Sequence, residues 1–418
     1  MKLFNIINKF ALVLFWFFLI SLCGLLVYVN NTQNLKTYNY AKNIKKILKF
    51  KRDEILPRFL NDYNSNFLPE THFINLKFFQ KKQNFLTIND CYIETCYTFY
   101  LEKNKKNIFL IDKNNNLYYS NIKNFLSKKN SFKKIDTNLN FLGVSDLYIN
   151  ENNIYVSGYK KNNNNDVYIS IYKSSLNNLK SIDFKEIFKA KNNECIFQPA
   201  HAGKMKHLNN DSSNGLLFTT RWLGKVDEPN LKNLLEDNIC GKVLLINENT
   251  SEYEIFSKGH RNIIGLYSDK DVVIATENGP AGGDEINKIQ KNKNYGWPVA
   301  SYGDKYFRKK DEDLVSYKKN HKQSGFEEPI FSFVPSIGIS EIIKLPNNFA
   351  NFWQNNFLFG SLNKKTIYRV EFDENFKKII YFEEIFVGDR VRDILYLDEE
   401  KTILFSLEMS GSIGIIQK

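Results

Sequence analysis

The chain has 418 residues, of which 43% are hydrophobic and 15% aromatic, and its formal net charge is +12 at pH 7. A chain of this length and composition can bury a large hydrophobic core. The positive charge does not indicate nucleic-acid binding, because the lysines are scattered among asparagines, as in KKNNNND and KNKN, and form no basic patch interleaved with aromatic residues.

Residues 10–29 follow a short N-terminal tail, 1–9, and form an uncharged and mostly apolar run. About twenty such residues suffice to span a bilayer as a helix. A cleavable signal peptide has a shorter apolar core and a small-residue cleavage site, and no A-x-A pattern follows this run. We therefore expect an uncleaved transmembrane anchor, with a signal peptide as the alternative. The lysines on either side do not fix its orientation.

Residues 30–80 are expected to form a stalk between this anchor and the rest of the chain. Within the stalk, AKNIKKILKFKRDEILPRFL places apolar residues among lysines at roughly a helical period, and Pro57 should end or bend the helix. The pattern predicts a short amphipathic helix near the membrane surface or along the next domain. A solvated linker is the alternative.

The remaining chain, 81–418, consists of short β-type runs separated by Asn, Asp, Lys and Gly, such as NIFLID, DVYISIY, KVLLIN and TILFSL. Strand-sized runs without long helical periods between them indicate an all-β sandwich, barrel or propeller. A propeller suits this length best, since a period of roughly 50 residues would give six blades of four strands. We predict an all-β, six-bladed β-propeller.

The five cysteines contain no CxxC motif and no zinc-like spacing. Cys23 belongs to the predicted anchor. Cys91 and Cys96 are close enough in sequence to bridge a hairpin loop, and Cys195 and Cys240 are a possible second pair. Disulfides would suit an oxidising periplasm, whereas buried free thiols would suit a cytosolic chain. We expect at least the bridge between Cys91 and Cys96.

The segment 259–303 combines a polar turn, a β-branched run and a loop rich in glycine and carboxylate. Gly279, Gly282 and Gly283 allow tightly bent backbone, which can turn main-chain carbonyls toward one point. With acids close by, such a loop suits a hard cation such as calcium better than zinc. A hairpin with solvated acids is the alternative, because the regular spacing of an EF-hand is absent.

The motifs GHRN, ENGPAGGDEIN and NYGWP occur in this order, with GKVLLIN before them and PSIGIS, GSL and DRVRDI after them. In this order and at this spacing they resemble the pyrroloquinoline quinone (PQQ)-dependent glucose/sorbosone dehydrogenases, which are six-bladed propellers. The resemblance runs from about Phe141 to the C-terminus. It implies a quinoprotein that oxidises an aldose sugar or related alcohol by hydride transfer to PQQ, with calcium between cofactor and protein.

The resemblance also implies roles for individual residues. It places five on the cofactor: Arg261, Asn262, Ser336, Arg390 and Arg392. It gives the main-chain carbonyls of Gly279 and Pro280 to the calcium beside PQQ. Glu285 and Tyr295 match ligands of a second, structural calcium.

His201 is the expected catalytic base, although QPAHAGKMKH has one residue fewer between histidine and glycine than the family motif. The family's cofactor lysine is Asn363 here, and an aromatic residue expected near Val334 is missing. A non-catalytic propeller that binds a ligand or partner protein therefore remains the alternative. The expected location is the inner membrane with the propeller in the periplasm, and the sequence identifies neither the sugar nor the electron acceptor.

Overall fold

The computed structural model describes residues 77–82, 98–127, 132–162, 166–190, 202–210, 213–222, 238–304 and 317–417. These residues belong to the unit Ile74–Lys418, and the other unit, Met1–Phe73, lies outside the described residues. The predicted anchor, most of the predicted stalk, His201 and every cysteine except Cys240 also lie outside them. In the described ranges, no helix is both long and apolar enough to cross a membrane.

Six sheets of four or five strands make up the described chain. The first strand is β1 (Lys77–Lys82). Blade 1 contains β2 (Phe99–Lys103), β3 (Asn107–Asp112), β4 (Leu117–Asn121) and β5 (Lys133–Thr137). Blade 2 contains β6 (Gly143–Asn150), β7 (Asn153–Lys161) and β8 (Val167–Ser175); then β9 (Ser181–Ile182) joins blade 1 parallel to β5, and β10 (Lys185–Lys189) completes blade 2. Blade 3 contains β11 (Met205–Asn210), β12 (Ser213–Thr219), β13 (Lys242–Ile246) and β14 (Tyr253–Lys258).

The second half of the ring repeats this arrangement. Blade 4 contains β15 (Ile263–Asp269), β16 (Val272–Glu277) and β17 (Asp284–Lys288); then β18 (Lys293–Asn294) joins blade 3 parallel to β14, and β19 (Phe331–Phe333) completes blade 4. Blade 5 contains β20 (Ile339–Lys344), β21 (Phe357–Ser361), β22 (Thr366–Phe372) and β23 (Ile379–Phe386). Blade 6 contains β24 (Val391–Leu397), β25 (Thr402–Leu407), β26 (Ser412–Gln417) and β1. The described helices are α1 (Ile122–Leu126) and two short 3-10 turns, Lys322–Ser324 and Asn351–Trp353.

Strand β3 supplies alternate side chains to the two neighbouring blades. In β3, Phe109 and Ile111 pack into the core shared with blade 2, whereas Ile108 and Leu110 pack into the core shared with blade 6. Because both faces of such a strand are buried, its sequence is a continuous apolar run, as in NIFLID, and does not alternate between apolar and polar residues. The prediction of an all-β, six-bladed propeller is confirmed.

The ring is closed by β1, which pairs antiparallel with β26 from Lys77 opposite Gln417 to Lys82 opposite Ser412. Blade 6 therefore takes its outer strand from the beginning of the propeller and its other three strands from the end. Strand β1 spans the boundary at residue 80 that we expected between stalk and propeller.

The first strands of the blades, β2, β6, β11, β15, β20 and β24, contact one another around the central axis. Their starts are cross-linked: Ser340 Oγ donates to the carbonyl of Val391 at 2.6 Å, joining the beginnings of β20 and β24. Loops that precede these inner strands therefore lie at one end of the central channel.

Candidate functional site

The loops before β15 and β20 and the loop after β16 meet at the end of the propeller where the inner strands begin. Asn278 ties them together: its main-chain N–H donates to the carbonyl of Asn262 at 2.9 Å, and its side-chain amide donates to the carbonyl of Ile339 at 2.9 Å. Arg261 joins them by donating from Nη1 to the Asn278 carbonyl at 2.8 Å. The GHRN, ENGPAGGDEIN and PSIGIS segments are therefore brought together.

Asp284 fixes the glycine-rich loop against the PSIGIS segment. Its Oδ1 accepts the Gly279 N–H at 3.1 Å, and its Oδ2 accepts the N–H groups of Gly338 and Ile339 at 2.7 and 3.0 Å. The Ser336 hydroxyl oxygen accepts the same Gly338 N–H at 3.2 Å. Burial raises the pKa of Asp284, and the hydrogen bonds that its carboxylate accepts act in the opposite direction. The carboxylate thus positions the expected calcium loop and the expected cofactor residue Ser336 relative to each other.

Glu277, at the end of β16, positions Arg261. Its carboxylate accepts the main-chain N–H of Arg261, and it lies 3.1 Å from Nδ1 of the buried His260. Ser257 Oγ lies 2.8 Å from the other ring nitrogen of His260. The guanidinium of Arg261 lies over Trp297, with 5.4 Å between Cζ and the ring centre, which is a cation–π distance. The Arg261 side chain therefore has a defined direction before any ligand binds.

Three acceptors at this end of the propeller have no partner among the described residues. Asn262 is only 3% exposed, and its Oδ1 accepts no hydrogen bond there. The carbonyls of Gly279 and Pro280 likewise accept none. A buried acceptor without a donor is costly, so these oxygens suit a ligand that brings donors or a cation.

Arg390 and Arg392, at the start of β24, both bind Glu408. Arg390 Nε lies 3.0 Å from Glu408 Oε2 and Arg392 Nε lies 2.6 Å from Oε1, while the Thr98 hydroxyl donates to the same carboxylate at 2.8 Å. Burial alone would raise the pKa of Glu408, but the two guanidinium groups, Arg392 foremost, lower it to about 2. The two guanidinium groups share the single carboxylate of Glu408, so these three side chains together keep a net positive charge.

Asp393, which follows the R-x-R motif, makes different contacts. Its Oδ2 accepts the N–H of Leu101 at 2.6 Å and its Oδ1 accepts the N–H of Ile394 at 2.9 Å. It therefore joins the inner strands of blades 6 and 1. The salt-bridge partner of the arginine pair is instead Glu408, in the turn between β25 and β26, which sequence reasoning missed.

Lys204 is a second residue that sequence reasoning missed as part of the channel. Its ammonium group is 2.8 Å from Asp146 Oδ1, forms a salt bridge with Glu341, and lies 4.9 Å from the ring centre of Tyr100. Lys204 and these three partners come from four different blades, each from the inner strand or from the loop before it. The only sequence signal was the position of Lys204 three residues after His201.

Residues 202–204, between the expected base and β11, are not in a strand. Ala202 and Gly203 have φ values of 55° and 89°, in the left-handed region. His201 itself lies outside the described residues, so its role stays a prediction. In a strand, the missing residue between His201 and Gly203 would turn the histidine side chain to the opposite face of the sheet. Because residues 202–204 are not in a strand, this objection to His201 as the base does not apply.

Glu285 and Tyr295, the expected second calcium pair, are both buried. The Tyr295 hydroxyl donates to the carbonyl of Lys288 and accepts the N–H of Gln290 at 3.0 Å, and its ring stacks on His260. Only the main chain of Tyr295 is thus free to act as a ligand. No group of three or more His, Cys, Asp or Glu side chains arranged to hold a metal occurs in the described parts of the chain.

Asn363 lies beside the PSIGIS segment, where the resemblance expects a lysine. Its N–H donates to the carbonyl of Ile337 at 3.0 Å, and its side chain lies against Gly338. Val334 is 66% exposed at the rim of the same loop. The site therefore has an amide in place of one cation and an exposed aliphatic side chain in place of one ring.

Comparison with known proteins agrees with the fold and the motifs. Residues 99–413 match the family model described as "Glucose / Sorbosone dehydrogenase". The chain is 30% identical over 172 residues to "Aldose sugar dehydrogenase YliI" of Escherichia coli K12, covering 40% of this chain and 45% of that protein. It is 37% identical over 143 residues to "Uncharacterized protein slr1608" of Synechocystis, covering 34% and 33%. The chain therefore spans less than half the length of these curated relatives.

Solved structures share the fold at low sequence identity. A glucose dehydrogenase structure matches with a TM-score of 0.61 at 17% identity, covering 77% of this chain and 96% of that one. The apo-form of the soluble aldose sugar dehydrogenase from Escherichia coli matches with a TM-score of 0.59 at 19% identity, covering 76% and 94%. Because the family model spans most of the chain and the motifs that suggested it meet at one end of the propeller, this protein belongs to the glucose/sorbosone dehydrogenase family.

Proposed function

We propose that the protein is a quinoprotein that oxidises an aldose sugar or related alcohol by hydride transfer to PQQ. The observation that carries this proposal is a set of acceptors that have no donor among the described residues: the buried Oδ1 of Asn262 and the carbonyls of Gly279 and Pro280. The Asn278 N–H, which donates to the Asn262 carbonyl at 2.9 Å, joins the two segments that carry them. Two of these acceptors directly follow Asn278 in the chain, and the Asn278 carbonyl accepts from the Arg261 guanidinium at 2.8 Å. Oxygen acceptors near a guanidinium fit an anionic ligand that arrives together with a cation.

In this proposal the carbonyls of Gly279 and Pro280 hold calcium, which suits oxygen ligands. Arg261, Arg390 and Arg392 bind the carboxylates of PQQ, for which a guanidinium fork is a good match. Asn262 and Ser336 complete the binding site. When bound, PQQ would supply the hydride-accepting quinone, and calcium would polarise it.

The chain's own residues supply orientation and proton transfer. The bonds from Glu277 and Asn278 hold Arg261, and Asp284 holds Gly279 and Ser336 in fixed relative positions. Because these residues are already held in place, they lose little conformational freedom when the cofactor binds, which lowers the entropic cost of binding. His201 would accept the proton of the sugar hydroxyl as hydride leaves the anomeric carbon.

The experiment is titration of the purified protein with PQQ in the presence of calcium, followed by absorbance, and then assay with a panel of aldoses and an artificial electron acceptor. We expect a saturable spectral change and sugar-dependent reduction of the acceptor. Binding of PQQ without turnover on any aldose or related alcohol would favour the non-catalytic propeller. Failure to bind PQQ at all would overturn the proposal.

We further propose that the protein is anchored in the inner membrane by residues 10–29, with the propeller in the periplasm. The uncharged run supports the anchor. A disulfide at Cys240, whose partner lies outside the described residues, supports an oxidising compartment. Protease treatment of spheroplasts should digest the propeller, and protection of the propeller until the cells are lysed would contradict this location.

A further inference from the structure

His321 is a buried histidine with no hydrogen-bond partner among the described residues. Its side chain is 2% exposed, and neither ring nitrogen has a partner there. The ring stacks on Tyr302 with a 5.2 Å centroid distance and an 8° angle between planes. An imidazole nitrogen without a hydrogen-bond partner can offer its lone pair to a metal ion.

Nε2 of this imidazole faces Glu285. The distance between Nε2 and Oε1 is 3.6 Å, which is too long for a hydrogen bond. The other carboxylate oxygen of Glu285 accepts from the Asn287 amide at 3.2 Å, and Asn287 Oδ1 is itself buried without a partner among the described residues. The cluster therefore offers a carboxylate oxygen and an amide oxygen without a donor among the described residues, and both suit a bound cation.

The main chain of Tyr295 completes this cluster. The Glu327 N–H donates to the carbonyl of Asn294 at 2.8 Å, which holds the segment that follows His321 beside Tyr295. Glu285 and Tyr295 are the pair that the family resemblance assigns to a second calcium. Calcium prefers oxygen ligands, so a buried imidazole at this position does not fit calcium well.

The separation of the two side chains fits a different ion. Two ligands about 2.1 Å from a tetrahedral metal lie about 3.4 Å apart, close to the 3.6 Å between His321 Nε2 and Glu285 Oε1. Zinc and similar divalent transition metals accept imidazole nitrogen and carboxylate oxygen together. We propose that His321 and Glu285, with the Tyr295 carbonyl, bind a divalent transition metal of the zinc class instead of a second calcium.

The test measures metal binding and thermal unfolding, and it needs no PQQ or enzyme activity. Full-length protein in detergent is stripped with a chelator, dialysed, and loaded with either zinc or calcium; bound metal is then measured by mass spectrometry. We expect the parent to bind one zinc per chain and its Tm to rise with zinc. In His321→Ala and Glu285→Gln, both effects should be lost. His321→Asp should lose zinc binding and instead gain one calcium per chain.

A matched control is available in His207, another histidine beside a glutamate. Its Nε2 lies 2.6 Å from Glu248 and its Nδ1 lies 3.2 Å from the Tyr148 hydroxyl, so both nitrogens are already used. His207→Ala should keep the zinc response. Equal zinc binding by the parent and His321→Ala, or no zinc binding by the parent, would overturn the proposal, and circular dichroism would verify that each variant is folded.

Discussion

The ammonium group of Lys204 lies 2.8 Å from the carboxylate of Asp146 inside the central channel, where both side chains are 6% exposed. Lys204 also forms a salt bridge with Glu341 on the inner strand of blade 5. One cation therefore joins blade 3 to blades 2 and 5 across the axis.

Replacing Lys204 by Met should destabilise the propeller strongly, because Asp146 and Glu341 would remain buried without their cation. Breaking a buried ion pair from one side typically costs about 3–5 kcal/mol. Urea unfolding followed by circular dichroism measures the change. Lys206→Met is the control: Lys206 is 32% exposed and 3.9 Å from Glu102, so its loss should cost far less. Equal stability of the two variants would contradict a central role for Lys204.

Asp393 should make stability fall as pH rises from about 4 to about 7. Burial, partly offset by Lys204, raises the pKa of Asp393 to about 7, whereas an aspartate in the unfolded chain has a pKa of about 3.9. In this window the folded state keeps a proton that the unfolded state releases, so the free energy of unfolding decreases with pH. Asp393→Asn should reduce this slope in urea titrations at several pH values, and an unchanged slope would contradict the assignment.

Gly283→Ala should destabilise the candidate site more than Gly325→Ala. Both glycines have left-handed φ values, 70° and 83°, which cost an alanine about 1–2 kcal/mol. A methyl group on Gly283 would also clash with the main chain of Gly303, whereas none of the described atoms lies within 4 Å of one on Gly325. The clash should add about 1–3 kcal/mol. Thermal unfolding measures the stability of the two variants. An equal decrease in Tm would show that the loop around Gly283 shifts to accommodate the methyl group.

Arg390 and Glu408 should change PQQ affinity in opposite directions. Arg390→Ala removes one guanidinium while Arg392 still pairs with Glu408, so the fold should persist. Loss of a charge-assisted hydrogen bond of about 1.5–3 kcal/mol predicts roughly 10- to 100-fold weaker binding. Glu408→Gln should bind PQQ more tightly, because the arginines lose a competing carboxylate. Absorbance titration measures both, and parental affinity in both variants would make the arginine pair purely structural.

His201→Ala should lower sugar-dependent reduction of an artificial acceptor by about a hundredfold or more, the usual range for removing a general base. Binding of PQQ should survive, since His201 is proposed to act on the sugar hydroxyl. His207→Ala is again the control, because its imidazole is already bonded to Glu248 and Tyr148. Full activity in His201→Ala would assign the base to another residue.

The sequence predicted the fold because each blade repeats a local pattern, as in NIFLID of β3 and TILFSL of β25. Motif order also predicted that Arg261, Gly279 and Ser336 would lie together, and the contacts through Asn278 and Asp284 show these loops joined. The propeller fold brings such loops together at one end, so their proximity follows from topology.

The partners of individual charges could not be predicted in this way. Glu408 accepts a hydrogen bond from Thr98, which lies 310 residues away in the sequence. His321 lies 3.6 Å from Glu285, a residue of blade 4, because of the way the short turn that follows it packs. Neither relationship has a local period or spacing, because each depends on how distant segments pack in three dimensions. For the same reason, the hydrogen bond that the Asp393 carboxylate of blade 6 accepts from a main-chain N–H of blade 1 could not be predicted.

The pairing of β1 with β26 has a consequence for biosynthesis. Blade 6 cannot form until residues 412–417 have left the ribosome, because that strand separates β25 from β1. Until then β1 has no partner strand in blade 6, and β24 and β25 have an exposed edge. Unpaired edges invite pairing with other chains. A chain that ends before residue 412 should therefore aggregate far more readily than the loss of one strand suggests.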